Sequence, residues 1–292
     1  MRCSVGIFAY NEEKNIEKVI TAILNQELSD VEICEVIVIA SGCTDNTVLI
    51  ASKLAERNSR IKVISGSKRE GKAEAINVFL REARSELLVM ESGDTVPEKN
   101  AVEKLIAPFV DNSVGMTGAR PVPVDDPKTL MGYTAHLLWN LHHQISLKNP
   151  KMGEMVAFRK VFESIPQTAV DEAFIEQIVT KKGYKIAYVP EAVVYNKGPE
   201  NVSDFIRQRR RIHCGHLNLK KETGYKVSTG DPLKLIYLVA KQARPNFIYL
   251  FFTPISIFLE ALSVFLGWFD FEVLKKKYII WDIAQTTKKL KQ

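Results

Sequence analysis

Four groups of side chains in this 292-residue chain are of types that can do chemistry. The runs Tyr10-Asn11-Glu12-Glu13, Ser41-Gly42-Cys43-Thr44-Asp45 and Glu91-Ser92-Gly93-Asp94 are polar and carboxylate-bearing, and each comes directly after a short apolar run. Gly71-Lys72 opens a segment of helical period, where free backbone N–H groups and an ammonium point the same way and suit an anion. Asp171-Glu172 heads a second such segment; acidic residues there are favoured by the helix macrodipole, which also lowers their proton affinity. Gln208, with arginines at 209, 210 and 211, forms the fourth group. His142-His143 and His213-x-x-His216 have no Cys or carboxylate at ligand spacing, so no zinc site is expected from them.

Elements that would position these groups are visible in the hydrophobic pattern. Runs at 3–9, 35–40, 61–65 and 86–90 are short and apolar, as buried parallel strands are. Between them, Ile16, Val19, Ile20, Ile23 and Leu24 form one helical face, and Ala73, Ile76, Phe79, Leu80 and Ala83 another. This order predicts an α/β, doubly wound sheet whose ligand sits at the carboxyl ends of the strands. All three polar loops fall at those ends. Further strands are predicted at 114–118, 155–158 and 185–189. Leu130, Tyr133, Leu137, Leu138, Leu141 and Ile145 mark a long amphipathic helix, and 171–182 reads as a helix closed by Gly183.

Composition sets the class and the surroundings. With 46% hydrophobic and 25% charged residues, the chain is neither disordered nor a coiled coil. The four cysteines lack C-x-x-C spacing and read as reduced thiols of a cytosolic protein. The N-terminal apolar run is too short for a signal peptide, so the catalytic part is expected in the cytoplasm. The net charge of +6 is uneven: 197–244 holds 11 Lys and Arg against four Asp and Glu, while 1–196 is net −3. Nucleic-acid binding would require aromatic residues among those cations for stacking. Only Phe205 lies near 207–211, so no nucleic-acid partner is expected.

A membrane surface suits the basic block better, because an apolar segment adjoins it. Residues 247–269 carry one formal charge, Glu260, and one proline, Pro254, and about 20 apolar helical residues suffice to cross a bilayer core. Basic residues flank both sides, so the pattern predicts a broken, re-entrant or in-plane pair of helices with its break near Pro254 or Glu260. An amphipathic stretch at 233–243 would lead into it along the lipid headgroups. The expected organisation is a catalytic domain at 1–225 and a helical membrane-association region at 226–292.

Taken in order, Phe8-Ala9-Tyr10-Asn11-Glu12-Glu13, 39–47, Gly71-Lys72-Ala73-Glu74-Ala75-Ile76-Asn77, Gly93-Asp94-Thr95-Val96-Pro97, Asp171-Glu172 and Gln208-Arg209-Arg210-Arg211 resemble the family 2 inverting glycosyltransferases of GT-A fold. The resemblance covers roughly 1–216. It implies a Rossmann-like, nucleotide-binding mixed sheet flanked by helices. Tyr10 and Glu12 would contact the base and sugar of a nucleotide donor, with Ser41 in the second loop and Asp45 orienting it. Lys72 would lie near the donor phosphates. Ala40-Ser41 stands where the family often has an Asp pair, which leaves the base open between UDP- and GDP-sugars.

The resemblance also implies a divalent cation, Mg²⁺ or Mn²⁺, to neutralise the diphosphate leaving group. The family's Asp-x-Asp becomes Ser92-Gly93-Asp94 here. Asp94 keeps the metal-binding carboxylate, and Glu91 compensates for Ser92 only if the backbone turns it inward. Glu172 takes the place of the general base with Asp171 beside it, in reversed order. Gln208-x-x-Arg211 resembles the Gln-x-x-Arg-Trp motif with Ile212 for the Trp; its arginine would lie near the diphosphate, while Arg207, Arg209 and Arg210 would face lipid headgroups.

The expected activity is therefore transfer of one sugar, with inversion, from a nucleotide-diphospho-sugar to a lipid-linked or glycolipid hydroxyl on the cytoplasmic face of the cell membrane. Two alternatives are a polyprenyl-phosphate glycosyltransferase, whose acceptor is already ionised, and a non-catalytic nucleotide-sugar-binding membrane module. Nucleotidyl transfer is disfavoured because 10–13 is no glycine-rich phosphate loop.

Overall fold

The computed structural model describes residues 1–227, 238–239, 247–280 and 284–288. The amphipathic stretch expected at 233–243 lies largely outside these residues. In chain order the first half comprises β1 (Arg2–Phe8), α1 (Ile16–Leu24), β2 (Glu32–Ser41), α2 (Thr47–Arg57), β3 (Ile61–Gly66), α3 (Lys72–Glu82) and β4 (Leu87–Ser92). A short β5 (Val96–Pro97) and α4 (Ala101–Ile106) lead to β6 (Val114–Pro123), α5 (Leu130–Ser146), β7 (Val156–Arg159), α6 (Asp171–Lys181), β8 (Lys185–Asn196) and α7 (Val202–Thr223). The last long element is α8 (Phe247–Glu272).

One eight-stranded mixed sheet has the order β3-β2-β1-β4-β7-β6-β8-β5. The strands β3, β2, β1 and β4 run parallel, whereas β7 is antiparallel to both β4 and β6. Side chains alternate between two apolar layers, as the pleat requires. Leu87 and Val89 of β4 pack with Ile16, Val19 and Leu105 on one face. Leu88 and Met90 pack with Ile76, Phe79 and Ile175 on the other. Each fully buried side chain of this kind contributes about 1.5–3 kcal/mol, so the sheet is a rigid base for the loops at its carboxyl edge.

Strands β6 and β8 run well past their predicted ends. Expected at 185–189, β8 continues through Pro190 to Asn196, and β6 lengthens with it, from 118 to Pro123. Their pairing shifts register between Gly118 and Arg120 and resumes at Arg120 opposite Val193. A bulge of this kind accommodates the proline that reads as a strand end in sequence.

The largest departure concerns 247–269. Instead of two helices with a break, α8 is one continuous helix with Pro254 inside it. Its inward stripe is polar or small: Thr253, Ser256, Ser263 and Asp270 are buried. Tyr133 and Thr253 share a hydroxyl–hydroxyl bond of 2.6 Å, Thr134 and Ser256 one of 2.7 Å, and Arg209 Nε donates to Glu260 at 2.8 Å. Arg210 pairs with Asp270. Arg209 and Arg210, expected to face headgroups, are therefore spent on tying α7 to α8, because a carboxylate in an apolar helix needs an opposite charge. The outer face carries Phe247, Leu250, Phe251 and Phe258, all exposed, and Ile257, Val264, Phe265 and Trp268 are exposed along its flank. Polar side in and apolar side out is the reverse of a soluble surface helix.

Candidate active site

The first two loops are clamped to each other. Asn11 takes a left-handed φ of 54°, which asparagine tolerates, and exchanges hydrogen bonds with Thr44: Nδ2 to Oγ1 at 3.1 Å, and Thr44 N to Oδ1 at 2.8 Å. Asp45 accepts from Glu13 N at 3.1 Å and from Thr47 N at 3.0 Å. Burial works against its charge, but these bonds, those from Thr47 foremost, hold its carboxyl below the ordinary range. Asp45 does not line the cleft; its bonds fix the loops that do.

Those loops border a cleft of about 1780 Å³, larger than the roughly 300–1,000 Å³ of a typical small-molecule pocket, so it has room for two substrates. Tyr10, Glu12, Ser41, Lys72, Ser92, Asp94, Asp171, Glu172, Gln208 and Arg211 all line it. Of the expected site residues, only Asp45 and Glu91 do not. The Arg69 guanidinium lies 4.2 Å over the Tyr10 ring. The 92–94 turn passes close to the first loop: Gly93 N donates to Phe8 O at 2.8 Å, and a Cβ at Gly93 would stand 3.0 Å from Glu12 Cγ.

Glu91 is a correction. Strand β4 extends to Ser92, and the pleat places Glu91 on the same face as Leu87 and Val89, where it is 1% exposed and accepts from Thr95 Oγ1 at 2.5 Å. The inward turn it needed does not occur. Burial, against the Thr95 bond and helped by the charges of Glu154 and Asp94, raises its pKa to about 8.

Glu154 is the carboxylate that sequence reasoning missed. It lines the cleft just before β7, and its pKa is pushed up to about 7 by burial, then by Asp94 and Glu172. Register explains its place: Met90 pairs with Val156 in an antiparallel ladder, so two residues on, Glu154 comes opposite Ser92. The antiparallel direction of β7 left no mark in the sequence. Burial and then the charge of Asp94 also raise Glu12 to about 7. Asp94 is thus a source of negative potential that burdens its neighbours, which is the setting a divalent cation relieves. Among the described residues no group of three or more His, Cys, Asp or Glu is arranged as a ready cage. One carboxylate with donor phosphates is a usual set for Mg²⁺, and Asp94 fits that use.

A hundred residues apart in sequence, Lys72 and Glu172 meet. Lys72 Nζ lies 2.7 Å from Glu172 Oε1 and 2.9 Å from Asp171 Oδ2. Although burial opposes it, these two carboxylates raise the Lys72 pKa above its ordinary value. Expected at the donor phosphates, the ammonium is committed to the two carboxylates. Glu172 in turn is raised, by burial first and Asp171 second, against the pull of Lys72. A carboxylate with raised proton affinity is a better base than a surface one. Arg211 is shifted down by burial, opposed by the charges of Asp171, Glu172 and Glu154.

Lys72 sets up a test of this triad. Because an adjacent cation lowers a carboxyl pKa by about 1–3 units, Lys72→Met is expected to move the acidic limb of the kcat–pH profile upward by about one unit. A limb that stays in place would show that neither carboxylate is the titrating base.

The far end of the cleft is lined by Trp139 and His142 of α5, Lys151, His213 and His216 of α7, and Ile257, Ala261, Val264, Phe265 and Trp268 of α8. At the other end, by the first loop, Lys288 Nζ donates to Tyr10 O at 2.9 Å and pairs with Glu12.

The chain is similar to known proteins over most of its length. Residues 4–169 match the model of Glycosyl transferase family 2. A poly-beta-1,6-N-acetyl-D-glucosamine synthase of Staphylococcus epidermidis is 23% identical over 293 residues, spanning 95% of this chain and 69% of the relative. Its Staphylococcus aureus counterpart is 26% identical over 216 residues, 69% of this chain and 51% of the relative. Among solved structures, a mannosyltransferase from Pyrobaculum calidifontis in complex with GDP-Man and Mn²⁺ superposes with a TM-score of 0.67 at 19% identity, over 92% of this chain and 88% of that one. Glucosyl-3-phosphoglycerate synthase from Mycobacterium tuberculosis, with Mn²⁺, UDP and phosphoglyceric acid, gives 0.55 at 23% identity, over 77% and 80%. At these identities the structural matches speak for a shared fold.

Proposed function

The chain belongs to glycosyl transferase family 2, and from that footing we propose that this glycosyltransferase moves one sugar, with inversion, from a UDP- or GDP-sugar to a lipid-linked hydroxyl at a membrane surface. One observation carries the acceptor reading: a single cleft runs from the donor loops to the apolar helix α8, whose outer face has no protein cover among the described residues. A soluble donor would enter at the loops and a lipid-borne acceptor along α8. Catalytic residues 1–225 and the membrane-association region 226–292 divide the work accordingly, on the cytoplasmic face.

In this reading Tyr10, Glu12 and Ser41 hold the nucleoside, Gln208 and Arg211 attend the diphosphate, and Lys72 keeps the two catalytic carboxylates charged and in place. The acceptor hydroxyl attacks the anomeric carbon and its proton passes to Glu172. As the new C–O bond forms, the bond to the diphosphate breaks and the nucleoside diphosphate leaves. A cation held by Asp94 would supply charge neutralisation for that leaving group.

The test is transfer of radiolabelled sugar from UDP- and GDP-donors, with Mn²⁺, into the organic-extractable fraction of a membrane lipid extract. Label that reaches only water, as hydrolysed sugar, would remove the lipid acceptor from the proposal. Membrane contact has its own prediction. Leu250, Phe251 and Phe258 are exposed and lie off the cleft, and each buried apolar side chain is worth about 1.5–3 kcal/mol. Changing all three to serine is expected to weaken flotation with anionic liposomes by at least about tenfold while donor hydrolysis persists. Unchanged flotation would place the contact elsewhere.

A further inference from the structure

Residues after α8, at 278–280 and 284–288, border the cleft. Tyr278, Ile279, Ile280, Ala284, Thr287 and Lys288 all contribute to its lining. The described residues of this strap are fastened at two points, to α8 through Tyr278 and to α7 through Thr286. At the near end Tyr278 OH donates to Asp270, the carboxylate already paired with Arg210. At the far end Thr286 Oγ1 donates to Asp204 Oδ2 at 2.8 Å and accepts from Glu200 N at 3.1 Å. Between the two, the Ile279 carbonyl lies over Gly71, where a Cβ would stand 2.7 Å from the Ile279 oxygen. Gly71, at φ +93°, is the residue on which α3 begins. Lys288 then reaches the first loop, bonding the Tyr10 carbonyl at 2.9 Å and pairing with the Glu12 carboxylate.

These are the polar groups that the proposed function gives to the donor. Glu12 also feels the charge of Asp94, so the lysine ammonium answers the same negative potential that a divalent cation would answer. A group tethered at that spot cannot share it with a ribose and a diphosphate-bound metal.

We propose that the C-terminal strap is an internal competitor of the nucleotide sugar: Lys288 acts as a tethered cation beside Glu12, and donor with its metal ion enters only when the strap lifts. This inference rests on the donor reading of the Tyr10–Glu12 loop. The fastening of the strap is a matter of hydrogen bonds and ion pairs at the rim, and those can be broken without dismantling the sheet. Binding to a form populated only in part weakens apparent affinity by that fraction, so a site covered nine-tenths of the time binds about tenfold more weakly.

The experiment uses the full chain in four forms: unaltered, Lys288→Ala, Lys288→Arg and Thr286→Val. Two readouts are needed, the Kd for UDP- and GDP-sugars with Mn²⁺ by calorimetry, and hydrogen exchange of residues 8–13 without ligand. Lys288→Ala and Thr286→Val are each expected to tighten donor binding by roughly three- to tenfold and to speed exchange of the loop, whereas Lys288→Arg keeps both values. Donor affinity that falls or stays level in both releasing variants would overturn the proposal and make Lys288 a donor ligand or a bystander. If no form binds any nucleotide sugar, the donor reading itself has failed; the exchange readout then stands alone, and loop protection unchanged by Lys288→Ala would dispose of the strap as well.

Discussion

Replacing Asp94 by alanine is expected to abolish sugar transfer, by on the order of 10³-fold or more, while leaving the fold intact. A metal ion stabilises charge on a phosphoryl leaving group by several kcal/mol, and each 1.36 kcal/mol is about tenfold in rate. Asp94 is the carboxylate in the cleft whose charge burdens Glu12, Glu91 and Glu154 together. Its loss also relieves that burden, so the variant should fold at least as well, which circular dichroism and Tm will show. Glu91→Gln is the contrast: its carboxyl lies off the cleft with a pKa near 8, and an effect below about tenfold is expected. Near-normal turnover by a folded Asp94→Ala protein would end the metal assignment.

The second large effect falls on the base. Glu172→Gln should keep donor affinity and lose roughly 10²–10⁴-fold in kcat, the range of general base catalysis. Lys72 loses one of two partners in this variant but keeps Asp171 at 2.9 Å, so the site should hold together. Asp171→Asn tests the neighbour in the same way. Asp171 is buried at the first turn of α6, where Glu172 stands more open to the cleft; the larger loss is expected from Glu172. Full activity in both variants would point to an acceptor that carries no proton to remove, a phosphate, and would replace the hydroxyl reading with the polyprenyl-phosphate one.

Where sequence spoke clearly, it did so through period and punctuation. Strands β1 to β4 and helices α1, α3, α5 and α6 were legible from apolar runs and helical faces, and three polar loops fell where strands end. Those rules are local. What they could not reach were relations set by the folded chain. Glu154 depends on β7 running antiparallel to β4, and the Lys72–Glu172 pair joins the first turns of two helices a hundred residues apart. Glu91 turned on a small difference in strand length, since ending β4 at 90 rather than Ser92 changes which face its side chain takes. For α8, hydropathy saw an apolar segment but not its orientation: a stripe of Thr253, Ser256, Glu260, Ser263 and Asp270 recurs at helical spacing and faces α5 and α7. Taken singly, Pro254 and Glu260 suggested a break; as part of a helical stripe, Glu260 belongs to the contact surface. The places of Arg209 and Arg210 were hidden for the same reason, because their carboxylates lie on α8.

In the proposed function this cleft binds a nucleotide sugar with the help of a divalent cation. Calorimetric titration of the full chain with UDP- and GDP-sugars, once with Mn²⁺ and once with EDTA, tests it most directly. Saturable binding of one nucleotide class at a single site, at least about tenfold weaker when the metal is chelated, is the expected result. Binding that is indifferent to Mn²⁺, or no binding of any nucleotide sugar under either condition, would contradict it.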